Sequence, residues 1–112
     1  MKDNHLAGMS IEEAVAAARR LWPGRTVQVE CDDLDQLEQA LSANADLVLL
    51  DNMSPEQVTA CVDLVNHRCL VEVSGGVNLG NVAAYAATGA DLIPIGALTH
   101  SAPVLDIGMD LC

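Results

Sequence analysis

The sequence is poor in positive charge. It has five lysine and arginine residues against sixteen aspartate and glutamate residues, giving a formal net charge of −11 over 112 residues. A protein that binds nucleic acid needs basic side chains to neutralise phosphates, so this composition argues against such a partner. An anionic small-molecule substrate would also be poorly attracted unless cations come from outside this chain.

Aromatic residues, long apolar runs and cysteine motifs are scarce too. The chain has no Phe, one Trp and one Tyr, so its core must be built from Ala, Val, Leu and Ile, which suits layered β/α packing. No apolar run approaches the roughly 20 residues of a membrane helix, and no leader sequence is evident, so we expect a cytoplasmic protein without membrane contact. The four cysteines lack CxxC spacing, which argues against zinc and predicts reduced thiols.

Four short apolar runs recur along the chain at nearly constant spacing. They read TVQVEC, DLVLLD, LVEVS and LIPIG. Three consist mostly of Val, Leu and Ile, as is usual for parallel strands that are covered on both faces. TVQVEC alternates instead, which predicts that one of its faces meets polar groups. We therefore expect four parallel strands.

Helix signals separate these strands. The predicted helices span residues 10–21, 33–41, 54–65 and 78–89. Ser10 and Ser54 each begin a capping box, while Asn78 is the predicted cap of the last helix and Gly89 its stop. In the second helix, Leu34, Leu37 and Leu41 are expected on one buried face.

Strand–helix alternation of this kind predicts an α/β fold with right-handed crossovers. A complete (β/α)₈ barrel takes about 250 residues, more than twice this length. The pattern alone is compatible with a small open sheet or with a segment of a larger barrel.

The carboxyl ends of parallel strands are where β/α folds bind ligands. Here these ends carry Glu30, Asp51-Asn52, Ser74-Gly75-Gly76 and Gly96-Ala97, the last followed by Thr99, His100 and Ser101. The two glycine exits predict close backbone approach to a phosphate, helped in the first case by the helix that follows it. The alternative is that these glycines only make tight turns.

Two acids and one lysine complete the predicted rim. Glu30 and Asp51 could hold ribose hydroxyls or a hydrated Mg²⁺, or instead serve as helix caps and Asx turns. Lys2 is the one cation expected at this rim. His5 is more typical of a packed or hydrogen-bonded histidine than of a catalyst.

Five segments resemble, in order and spacing, the carboxyl-terminal portion of quinolinate phosphoribosyltransferases. They read KDNH, VECDDLDQLEQAL, LLDNMSPEQV, VEVSGGVNLGNVAAYAATGAD and IGALTHSAPVLDIGMDL, and together they cover essentially the whole chain. The resemblance implies that residues 1–112 are the C-terminal segment of an incomplete, TIM-like β/α barrel. The N-terminal α/β sandwich and the first barrel strands would be absent. It also implies a homodimer or higher homo-oligomer with shared active sites.

The resemblance further implies a phosphoribosyltransferase of NAD biosynthesis. Such an enzyme converts quinolinate and PRPP to nicotinate mononucleotide, pyrophosphate and CO₂, with Mg²⁺ accompanying PRPP and no resident metal ligands assigned. By motif, the catalytic residues would be Lys2, Glu30 and Asp51. The phosphate and ribose would be bound by Ser74, Gly75, Gly76, Ile95, Gly96, Ala97 and His100. Because the arginine-rich segments of the family are missing, we expect this chain alone to be inactive.

The sequence departs from the family pattern at two positions, and two alternative functions are compatible with it. Gln28 stands where relatives commonly have an acid, and Pro94 removes a hydrogen-bond donor, so the last strand is expected to be distorted or at an edge. The alternatives are a related barrel protein associated with molybdate transport and a non-enzymatic, phosphate-binding half-barrel.

Overall fold

The computed structural model of the chain describes residues 8–95. Its elements are α1 (Ile11–Leu21), β1 (Gln28–Cys31), α2 (Leu34–Ser42), β2 (Leu47–Asp51), α3 (Pro55–Val65), β3 (Leu70–Ser74) and α4 (Val82–Ala86). The strands form a parallel sheet in the order β1-β2-β3. The predicted α/β alternation is confirmed. Within the described range, none of the helices has the length and apolar character needed to cross a membrane.

One face of the sheet packs into the hydrophobic core. The side chains on this face are all buried, namely Val29, Cys31, Val48, Leu50, Val71 and Val73. They form one cluster with the apolar sides of the helices. Burial raises the pKa of the Cys31 thiol to about 12, so this cysteine behaves as a core residue.

The opposite face of the sheet is partly polar. Gln28 and Glu30 of β1 lie on it, half-buried, together with Leu49 of β2 and Glu72 of β3. This arrangement confirms the interpretation of TVQVEC as a strand with one polar face, since alternate side chains of a strand point to opposite sides.

The helix starts follow the capping signals in two cases. Glu13 N donates to Ser10 Oγ at 3.1 Å and Gln57 N donates to Ser54 Oγ at 3.3 Å, with the reciprocal contacts also present. Both predicted capping boxes are confirmed. In α2 the expected apolar face is narrower, because Leu37 and Leu41 are buried whereas Leu34 is 47% exposed.

The last predicted helix is much shorter than expected. Only Val82–Ala86 is helical, and Asn78 accepts from Gly80 N at 2.8 Å and from Asn81 N at 3.2 Å in a turn that precedes the helix. The prediction of a helix running from Asn78 to Gly89 was wrong. Asn and Gly both favour turns over helix interiors, so the segment that contains them forms a turn.

The run LIPIG adds only one parallel bridge to the sheet within the described residues. Leu92 pairs with Glu72, and Val73 N donates to Leu92 O at 2.9 Å. Pro94, two residues later, has no N–H with which to continue a ladder. Within residues 92–95 the predicted fourth strand is reduced to this single bridge, and the distortion expected at Pro94 stays a prediction.

Candidate functional site

Three carboxylates meet at the carboxyl edge of the sheet. Glu30 is the penultimate residue of β1, Asp32 follows the end of that strand, and Asp51 ends β2. One oxygen from each lies within 4.8 Å of the others. Glu30 pairs with Leu49, so Asp51, two residues further on, projects from the same face. We call Glu30, Asp32 and Asp51 the acid cluster.

The acid cluster brings like charges close together. Glu30 and Asp51 are half-buried and Asp32 is exposed. Carboxylates at this separation repel each other when all are ionised, and a hard cation with oxygen ligands would relieve that repulsion. The donor set therefore fits Mg²⁺ or a similar divalent cation.

A glycine turn lies beside the acid cluster. Ser74, the last residue of β3, is the register partner of Asp51. Gly75 and Gly76 follow with φ values of +82° and +71°, a conformation that residues with a Cβ rarely adopt. Asn81 Nδ2 donates to Gly76 O at 2.8 Å and fixes the far side of the turn. The predicted convergence of Glu30, Asp51, Ser74, Gly75 and Gly76 on one edge is confirmed.

The expected helix N-terminus behind this turn does not contribute as predicted. α4 has five residues and begins only at Val82, after an intervening turn. A helix this short aligns few peptide dipoles, so its field is weak. An anion at Gly75 and Gly76 would therefore meet backbone N–H groups and the Ser74 hydroxyl rather than a strong helix dipole.

Gln28 has a specific role on the polar face of the sheet. Its Nε2 donates to Glu72 Oε2 at 2.8 Å, reaching from β1 to β3 across β2. An acid at position 28, as the family pattern implied, would face the Glu72 carboxylate and repel it. In this chain the amide supplies a donor instead.

The remaining predicted site residues are placed as follows. Ile95 is half-buried and packs against the core cluster. Lys2, Gly96, Ala97 and His100 lie outside the described residues.

Two residues of the site, Asp32 and Asn52, were given no role from the sequence. Asp32 lies between the end of β1 and Asp33, which is the N-cap of α2. Asn52 follows Asp51 and donates to its Oδ2 from Nδ2 at 3.0 Å. Its signal was its place directly after a strand-end acid, but the contact itself depends on backbone geometry.

The basic residues of the described part of the chain lie at one edge of the sheet. The arginines lie at the amino edge, in the last turn of α1 (Arg19, Arg20), before β1 (Arg25) and before β3 (Arg68). Arg19 forms an ion pair there with Asp46 at 3.2 Å. Within residues 8–95, no lysine or arginine lies at the carboxyl edge beside the acid cluster.

Comparison with known proteins shows similarity to one enzyme family over nearly the whole chain. The family model described as "Quinolinate phosphoribosyl transferase, C-terminal domain" matches residues 1–110. The Mycobacterium leprae protein named nicotinate-nucleotide pyrophosphorylase [carboxylating] is 44% identical over 115 residues, covering 99% of this chain and 40% of that protein. The human protein of the same name is 40% identical over 116 residues, covering 99% of this chain and 39% of that protein.

Solved structures extend this similarity to the fold. The nicotinate-nucleotide pyrophosphorylase of Francisella tularensis superposes with a TM-score of 0.84 at 39% identity, covering 88% of this chain and 36% of that one. The protein of that name from Ehrlichia chaffeensis gives a TM-score of 0.82 at 44% identity, covering 90% and 37%. The parallel β/α units of this chain thus have the fold of part of an incomplete TIM-like barrel. The chain spans about two fifths of the length of the curated relatives it matches.

Proposed function

The chain belongs to the quinolinate phosphoribosyltransferase family, and we propose that it supplies the ribose- and phosphate-binding edge of such an enzyme. The reaction would convert quinolinate and PRPP to nicotinate mononucleotide, pyrophosphate and CO₂. The observation that carries the proposal is the acid cluster lying next to the Ser74–Gly76 turn. The names of the relatives favour this chemistry over the molybdate-transport-associated alternative.

The acids suit the reaction at the sugar. Transfer of a ribosyl group builds positive charge on the ribose as pyrophosphate leaves. Fixed carboxylates such as Glu30 and Asp51 stabilise that charge without reorganising during the reaction. Their half-buried position strengthens the effect, because fewer water molecules screen it.

The acid cluster also fits a role in holding the Mg²⁺ of PRPP. Mg²⁺ favours carboxylate and phosphate oxygens and keeps several of its water molecules. Glu30, Asp32 and Asp51 would hold it, and when bound it would supply charge neutralisation for the pyrophosphate group. Sequence reasoning named no metal ligands, so the three carboxylates are a new proposal, and we propose that they can bind the ion before PRPP arrives.

The turn at Ser74–Gly76 would hold the phosphate of the substrate. Backbone N–H groups and a hydroxyl can bind an anion closely where no Cβ intervenes. By family resemblance, Lys2, Ile95, Gly96, Ala97 and His100 belong to the same site. Holding the phosphate fixes the ribose against the carboxylates, which lowers the entropic cost of reaching the transition state.

The remaining cations must come from outside the described residues. Quinolinate and PRPP are both strongly anionic, and the described carboxyl edge offers acids and neutral donors but no basic side chain. We propose that the rest of a longer chain, in a homodimer or larger assembly, supplies basic side chains to this edge. A cytoplasmic location follows from the same proposal, because the substrates are soluble metabolites.

A chimera tests the proposed function. In it, this chain replaces the matching carboxyl-terminal part of the Mycobacterium leprae relative. We expect the chimera to form nicotinate mononucleotide and pyrophosphate, and the 112-residue chain alone to form neither. Asp51→Asn should lower kcat/KM of the chimera by about 10²-fold or more, because it removes a fixed charge from the site.

The control is Asn44→Gly, at the amino edge of the sheet, which should leave the chimera's turnover unchanged. A folded chimera without turnover would refute the proposal. Steady pyrophosphate release by the 112-residue chain alone would refute the need for outside cations.

A further inference from the structure

Asn52 links the acid cluster to the glycine turn through three contacts. It lies between β2 and α3, and its φ of +54° places it in the left-handed region. We propose that Asn52 is a positioning residue that holds the Asp51 carboxylate and the Gly75 turn in one geometry. This inference rests on the proposed function for its consequence, but its geometric part can be tested separately.

The first contact fixes the carboxylate. Asn52 Nδ2 donates to Asp51 Oδ2 at 3.0 Å, which is a good distance for a charge-assisted hydrogen bond. Without it, repulsion from Glu30 and Asp32 would favour rotation of the Asp51 side chain away from the cluster. The amide therefore keeps the third carboxylate within 4.8 Å of the other two.

The second contact joins the backbones of two strand ends. Asn52 N donates to Ser74 O at 3.0 Å, one step beyond the register pair of Asp51 and Ser74. The ladder between β2 and β3 is thereby extended by one hydrogen bond into the loops. Movement of the glycine turn is thus coupled to movement of Asp51.

The third contact makes Asn52 and Gly75 mutually dependent. A Cβ at position 75 would lie 2.3 Å from Asn52 Oδ1 and 2.8 Å from Asn52 Cγ. The Asn52 side chain thus fills the space that any other residue at position 75 would need. Glycine is required there by this contact as well as by its φ of +82°.

The residues after Asn52 prevent it from relaxing. Tyr85 Oη donates to Met53 O at 2.9 Å, and Ser54 is held by its capping box. Asparagine tolerates the left-handed conformation better than most residues because its short amide can bond locally. At this position it provides both the conformation and the donor.

Divalent-cation affinity tests the consequence for function. We would measure Mn²⁺ binding to the 112-residue chain by calorimetry for the wild type, Asn52→Gly and Asn44→Gly. Asn44 is a matched control, since it has the same residue type and a φ of +58° but lies at the amino edge. We expect Asn52→Gly to weaken Mn²⁺ binding about tenfold and Asn44→Gly to leave it unchanged. Equal affinity for Asn52→Gly and the wild type would overturn the positioning role.

A double-mutant cycle tests the geometry without any cation. Gly75→Ala should increase the unfolding equilibrium constant in both backgrounds. We expect the fold-increase to be smaller by a factor of about ten or more in Asn52→Gly than in the wild type, because the Asn52 side-chain atoms that the new Cβ would meet are absent. Additive effects of the two substitutions would overturn the contact. If the wild type binds no Mn²⁺, the proposed cation site fails, and this cycle alone decides whether Asn52 holds the turn.

Discussion

Four described residues other than glycine have a left-handed backbone conformation, and they differ in how well they tolerate it. Asn44, Asn52 and Asn66 have positive φ values, and asparagine accepts that conformation comparatively well. His67 follows Asn66 with a φ of +61°. His67 lacks the short amide side chain of the three asparagines, so we expect the left-handed conformation to cost more at His67 than at Asn66.

Replacing His67 by glycine should stabilise the chain. Glycine removes the left-handed penalty of about 1–2 kcal/mol but increases the entropy of the unfolded chain, leaving a net gain of about 0.5–1 kcal/mol. Urea unfolding of the 112-residue chain measures it. Asn66→Gly is the matched control and should gain less, because asparagine is already tolerated there. An equal or larger gain from Asn66→Gly would contradict this account of strain.

Single residues of the site could be predicted only where position alone decides them. Glu30, Asp51 and Gly75 were predicted because each ends a recognisable apolar run, and strand ends converge in parallel folds. The contact of Asn52 with Asp51 and Gly75 could not be predicted, since it depends on the φ of Asn52 and on the gap above Gly75. Sequence patterns carry no information about such local geometry.

At the scale of elements, a repeated device starts the strand pairing at the amino edge. Val27 N donates to Asp46 Oδ2 at 2.8 Å, and Val71 N donates to Asp91 Oδ2 at 2.8 Å. Asp46 directly precedes β2, and Asp91 directly precedes the bridged residue Leu92. Each aspartate accepts a hydrogen bond from the backbone near the start of the neighbouring strand. The repeat Ala-Asp-Leu at residues 45–47 and 90–92 is thus a structural signal.

The pH dependence of stability should report on Asp46. The Val27 N–H and, to a smaller extent, the Arg19 guanidinium hold the pKa of the Asp46 carboxyl below its usual range. A carboxyl with a lowered folded-state pKa stabilises the fold at pH values above its unfolded pKa. That contribution is lost as the pH falls through the folded-state value.

Asp46→Asn should therefore destabilise the chain at pH 6 by about 1 kcal/mol and by progressively less below pH 4. The figure is modest because the side chain is partly exposed and asparagine keeps an acceptor oxygen. Urea unfolding across this pH range measures the difference. Asp63→Asn on the exposed side of α3 serves as the charge control, and a difference for Asp46→Asn that does not change with pH would argue against this explanation.

The elements themselves were predictable to different degrees. The starts of α1 and α3 follow from capping boxes, which are local in sequence and act locally in structure. The length of α4 was overestimated, because the helical spacing of residues 82–86 was extended over the preceding turn, which contains asparagine and glycine. The distortion expected at Pro94, beyond the bridge at Leu92, stays a prediction.

At the scale of the whole molecule, the described arginines lie together at the amino edge of the sheet. Each helix runs back from the carboxyl edge to the amino edge of the sheet, so the acidic first turns of α1, α2 and α3 lie at the carboxyl edge and the basic last turn of α1 lies at the amino edge. Glu12, Glu13 and Glu56 lie in first turns, while Arg19 and Arg20 lie in a last turn. Within residues 8–95, the carboxyl edge therefore carries the acid cluster and no basic side chain, which suits it to cations.

The fold class was predictable because strand periodicity and helix alternation are properties of the whole sequence. Whether the units form an open sheet or part of a barrel was not decided by that periodicity, since both use the same βαβ unit. The similarity to solved pyrophosphorylases decided it.

Paramagnetic broadening of amide NMR signals by Mn²⁺ would show which edge of the sheet binds a divalent cation. Because this broadening falls steeply with distance, it maps the cation onto one edge of the 112-residue chain. We expect sub-stoichiometric Mn²⁺ to broaden the signals of residues 30–32, 51–52 and 74–76 and to spare residues 44–46 and 66–69. Broadening that is centred on the amino edge, or absent from the acid cluster, would contradict the account.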